Sequence, residues 1–88
     1  MTIFAVMAEK PNPELARKIA SLFPNQFCTL TDSQWLIVDD AIPREVSEKL
    51  GVREGEYGRV MVIQTTGAGA GWHNKTVWEW LNQKTASA

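Results

Sequence analysis

The sequence predicts an α+β domain, and three observations carry that expectation. Short apolar runs suited to strands alternate with segments of helical periodicity. The first two helical segments each open near a proline, at Pro13 and Pro43, where the first turn of a helix tolerates one. The chain has 88 residues, room for a single domain with one modest core, assigned here to residues 1–88.

Thr2 to Ala8 is almost wholly apolar, short, and soon followed by proline, so it reads as a strand buried on both faces. Asn12-Pro13-Glu14 supplies an N-cap, a first-turn proline and a first-turn acid. Leu15, Ile19, Leu22 and Phe23 then recur at helical spacing, opposite Glu14, Arg17, Lys18 and Ser21. Pro24-Asn25 ends that helix. Phe27 to Leu30 and Trp35 to Asp39 flank the turn cluster Thr31-Asp32-Ser33 and read as a hairpin. From Pro43 a second helix runs to Leu50. Gly51 is placed to adopt the left-handed C-cap conformation, with Val52 as the apolar contact after it. Val60 to Thr65 is the fourth strand.

The order β-α-β-β-α-β over residues 2–65 resembles the split βαβ, or ferredoxin-like, plait. That resemblance implies a four-stranded antiparallel sheet with the first and third strands central and both helices on one face. It rests on element order and implies no particular chemistry. Beyond it lie a glycine-rich linker, 66–73, and an additional C-terminal amphipathic helix over about 74–84.

The strands are apolar at alternating and intervening positions alike, so the face away from the two plait helices needs a cover. The terminal helix or a second copy of the chain would provide it. At about 100° per residue, Val77, Trp78, Trp80 and Leu81 gather on one side, opposite Glu79, Asn82 and Gln83. Thr76-Val77-Trp78-Glu79 fits a capping box. Trp78, Trp80 and Leu81 are therefore expected in packing or in a homodimer interface.

Gly67, Gly69 and Gly71 follow a strand and precede a helix, the position of many anion-binding loops. Together with Trp72, His73 and Lys75 they form the candidate ligand site. The spacing is not G-x-G-x-x-G. Gly69 to Thr76 approximates a phosphate loop with Asn74 in place of its last glycine, but no downstream Asp follows to hold Mg²⁺. A hinge that lays the tryptophan helix on the sheet is the competing role, and the favoured one.

His73 is the only histidine and Cys28 the only cysteine, so no metal site, disulfide framework or nucleophile triad is expected, and no cofactor. The Phe27 and Leu30 neighbours suggest a buried, inert thiol at Cys28. Asp39 and Asp40 point to opposite faces of a strand, and Arg44, Arg53 and Arg59 read as dispersed solvated charges. A formal net charge of -1 gives no general attraction to nucleic acid or anionic lipid. The N-terminal run lacks the features of a signal peptide. These properties favour a cytoplasmic, non-enzymatic binding or regulatory module that self-associates, with a possible protein partner. Element order alone keeps two alternatives open: an RNA-directed plait of the antitoxin or endoribonuclease type, and a small-ligand-sensing plait.

Overall fold

A computed structural model of the chain describes residues 2–67 and 69–87, the side chains of 86 and 87 excepted. Seven elements follow one another: β1 (Thr2–Ala8), α1 (Pro13–Leu22), β2 (Phe27–Thr31), β3 (Gln34–Asp39), α2 (Pro43–Leu50), β4 (Val60–Thr65) and α3 (Lys75–Ser87). The strands form one antiparallel sheet in the order β2-β3-β1-β4. The most apolar strands, β1 and β3, hold the middle of the sheet.

Local chemistry sets the ends of the first two helices. The Asn12 side-chain oxygen accepts from the Leu15 N–H at 3.1 Å, and its amide nitrogen donates to the Tyr57 carbonyl at 3.2 Å. One residue thus starts α1 and pins it to the loop before β4. Gly51 closes α2 with φ at +76°, its N–H shared between the Ser47 and Glu48 carbonyls. Val52 then donates to Ser47 and is buried, which completes the left-handed cap with its apolar contact. Asn25 takes φ of +64° in the turn after α1, a conformation asparagine tolerates better than most residues.

Helices α1 and α2 lie on the same side of the sheet. Leu15, Ile19, Val46 and Leu50 pack there with Phe4, Val6, Trp35 and Ile37 into the main core. Each large side chain fully buried in it contributes on the order of 1.5–3 kcal/mol.

The opposite side carries a smaller cluster of Ile3, Leu36 and Val38, with Trp80 and Leu81 of α3 packed against it. Helix α3 lies toward the β2 side of this face. It begins at Lys75 and runs to Ser87, beyond the expected end near Lys84. Thr76 lies inside its first turn rather than at the cap. The Asn74 carbonyl accepts from the Val77 and Trp78 N–H groups, so the helix starts two residues earlier than a capping box on Thr76 requires. Among the described residues no helix is long and apolar enough to cross a membrane.

Candidate functional site

The glycine-rich connection sits at the junction of β4, α3 and the second sheet face. Thr65 organises its start: its hydroxyl donates to the Ile3 carbonyl at 2.9 Å and accepts from the Gly67 N–H at 3.1 Å. Gly67 has φ of +79°, and a Cβ there would meet Thr85 Cγ2 at 2.5 Å and Ile3 Cδ1 at 3.2 Å. Glycine is therefore needed at 67 for two independent reasons, its left-handed backbone and the close approach of α3. A Cβ at Gly69 would stand at ordinary contact distance, 3.8 Å, from Trp78. Gly71 has φ of +144° and faces open space. Ala68 lies outside the described residues.

The rest of the candidate site faces outward. Trp72 is 98% exposed. His73 Nδ1 accepts from the Asn74 N–H at 2.8 Å, which leaves Nε2 as the ring nitrogen facing solvent. Lys75 leans along the helix toward Glu79, 3.8 Å away, with both side chains largely exposed. The structure thus brings Gly67 against Thr85 and Gly69 near Trp78, and sets Lys75 beside Glu79. Trp80 and Leu81 are half-buried against the sheet, while Lys84 stands 6.0 Å over the Trp80 ring and donates to the Asn25 carbonyl. Trp78 is half-buried beside the glycine linker.

Two further features lie on or beside the second face. One is a cleft of about 300 Å³ where the end of α3 meets the sheet, lined by Thr2, Gln64, Thr65, Thr66, Lys84 and Thr85 among others. The other is a bare strip of the second face. Register places Met61 opposite Met7 and Ile63 opposite Ala5, so all four side chains share the face that α3 partly covers. Met61 is 54% and Ile63 40% exposed, beside a buried Ile3. The arrangement continues an apolar cluster into solvent.

No polar or charged residue is buried among the described residues. Burial pushes the Cys28 thiol up from its ordinary range, which disfavours the thiolate. The side chain is half-buried rather than fully enclosed. Asp39 is engaged structurally: Lys49 Nζ donates to it at 2.6 Å, and its other oxygen accepts from the Asp40 N–H at 2.8 Å. Among the described residues no group of three or more His, Cys, Asp or Glu side chains gathers to hold a metal ion. Neither the protein-family models nor the curated proteins give a match to this chain.

Proposed function

We propose that the chain is a small cytoplasmic, non-enzymatic binding module built on a ferredoxin-like plait. We further propose that it self-associates through the open half of its second sheet face. The order β2-β3-β1-β4 with α1 and α2 on one side supports the plait reading, with α3 as the addition. The observation that carries the function is the exposed pair Met61 and Ile63. They extend a packed apolar cluster, and contiguous exposed apolar surface is what interaction sites present. Trp72, fully in solvent on the connection to α3, supplies a further aromatic anchor of the type that dominates interfaces. In this reading the glycine linker is the hinge that lets α3 dock, with Gly67 as its fixed point.

Sedimentation velocity from micromolar to millimolar protein tests the proposal. A monomer–dimer equilibrium is expected, and Met61→Thr with Ile63→Thr should shift it to monomer while leaving the melt cooperative. A chain that sediments as monomer throughout the range contradicts self-association.

A second reading, a small-ligand-sensing plait, draws on the cleft beside Lys84. A thermal shift with a small carboxylate or phosphate that disappears in Lys84→Ala would support it. The same shift persisting in Lys84→Ala but lost in Lys75→Ala would place the ligand at the glycine loop instead.

A further inference from the structure

The two edges of the sheet are not equivalent. At the β2 edge the ladder with β3 is interrupted by a register shift between Thr29 and Thr31. A bulge is one way in which proteins blunt an edge. At the other edge, β4 keeps an unbroken register with β1 over all of Val60 to Thr65. Its sequence, VMVIQT, contains no charge, proline or glycine.

The phase of the ladder shows which backbone groups this edge presents. The Glu9 N–H donates to the Arg59 carbonyl at 3.0 Å. Alternation along an antiparallel pair then turns the backbone groups of Met61, Ile63 and Thr65 toward β1. The N–H and C=O groups of Val60, Val62 and Gln64 point outward, and among the described residues β4 pairs with β1 alone.

Three of the chain's four arginines surround that edge. Arg44 and Arg53 line a cleft between α2 and β4 that also includes Val60 and Val62. Arg53 and Arg59 line a second cleft at the start of β4, which shares Val60 and Met61 with the first. Arg53 is paired with Glu48, and Arg59 lies 3.9 Å from Glu9. Arg44 has no carboxylate partner among the described residues. The edge therefore combines unpaired backbone groups with two clefts whose charged lining is three arginines and one carboxylate, Glu9, while Glu48, Glu54 and Glu56 gather around Arg53 in a neighbouring cleft.

We infer that the β4 edge accepts an extended acidic segment of a partner protein as a fifth strand, read by Arg44, Arg53 and Arg59. Strand addition takes its affinity from main-chain hydrogen bonds and its selectivity from alternate side chains. Guanidinium groups suit carboxylates through their forked donors. The occupant is a polypeptide because the edge offers donors and acceptors in alternation. A phosphate backbone can only accept, and would leave the Val60, Val62 and Gln64 carbonyls without partners. A second copy of β4 fits less well, since antiparallel self-pairing would bring two sets of these arginines to one seam. The inference rests on the chain being a binding module but not on its self-association, which uses the Met61 and Ile63 side chains instead.

The test is a backbone-amide NMR titration of the full chain with a capped octapeptide of alternating valine and glutamate. The lysine analogue of that peptide and a uridine oligonucleotide serve as comparators. The expected result is shifted and exchange-protected amides at Val60, Val62 and Gln64 with the glutamate peptide, an effect that weakens as salt rises. Arg44→Glu with Arg59→Glu should weaken binding roughly tenfold, the sum of two modest exposed pairs, and favour the lysine peptide. Met61→Thr with Ile63→Thr should still bind, whether or not the wild type self-associates. Equal response to both peptides, or no response at these amides, overturns the inference. So does stronger perturbation by the oligonucleotide, or concentration-dependent protection of the same amides in the free protein.

Discussion

On the side of the sheet that α1 and α2 cover, Phe4, Val6, Trp35 and Ile37 are sealed to 1% exposure or less. On the other side burial runs out along a gradient, from Leu36, Val38 and Ile3 near α3 to Ile63 and Met61 in the open. The difference follows from how the covers are attached. Helix α1 is held at its start by Asn12 and α2 at its end by Gly51 and Val52, and both lie within the succession of strands. Helix α3 comes after the last strand and docks toward β2, leaving the β4 side bare. The sealed side carries most of the stability, and the graded side leaves apolar surface free for association.

The largest effect should come from breaking the sealed side. Phe4→Ala or Trp35→Ala is expected to cost about 3–5 kcal/mol. Total stability for a chain of this length is on the order of 4–13 kcal/mol. Urea denaturation should show either variant largely or partly unfolded in buffer. Loss of no more than about 1 kcal/mol would mean that the two sides are equivalent after all.

Gly67→Ala probes the attachment of α3. The added Cβ would collide with Thr85 Cγ2, and the backbone is already left-handed, so about 1–3 kcal/mol is expected. Thr85→Ser removes the obstructing methyl group. In a double-mutant cycle it should recover the steric part of the loss and leave the backbone part. If the two changes are simply additive, α3 does not pack on Gly67.

Leu81→Ala should cost about 1 kcal/mol, less than a core leucine, because its site is only half enclosed. Its effect should appear first as faster amide exchange in α3 while β1 and β3 remain protected.

Cys28 gives the smallest effect. Its thiol is raised by burial, so the folded chain favours the protonated form. That preference is fully present below the ordinary thiol range and is lost as pH rises through the raised value. Alkylation should be slow at neutral pH, with a midpoint above that of an unfolded control. Stability should decline slightly as the solution becomes alkaline.

Much of the fold was legible because periodicity and capping chemistry are local. Leu15, Ile19 and Phe23 announce a helix by spacing alone, and Gly51-Val52 announces its neighbour's end. The covering of the second face was not legible. It depends on where the linker sets α3 down, and the decisive contact, Gly67 against Thr85, joins residues far apart in sequence. The bounds of about 74–84 came close to the observed start at Lys75, but the capping box on Thr76 and Glu79 did not form, because the observed first turn uses the Asn74 carbonyl. The arginine-lined edge was hidden for a similar reason. Arg44, Arg53 and Arg59 are dispersed along the chain, and the sheet order brings them around β4.

Helix α3 can also be regarded as a tethered ligand of the sheet. The connection 66–74 is short enough that a flexible chain of its length spans roughly 16 Å, comparable with the 20 Å shortest extent of the molecule. Such a tether holds the helix at an effective concentration on the order of millimolar. A surface with only millimolar intrinsic affinity would then be about half occupied, whatever the total protein concentration. The contact made by Trp80 and Leu81 therefore needs an intrinsic affinity only about tenfold better than millimolar to keep α3 docked about nine-tenths of the time. A free peptide with the α3 sequence should fail to displace it unless supplied at comparable, millimolar levels.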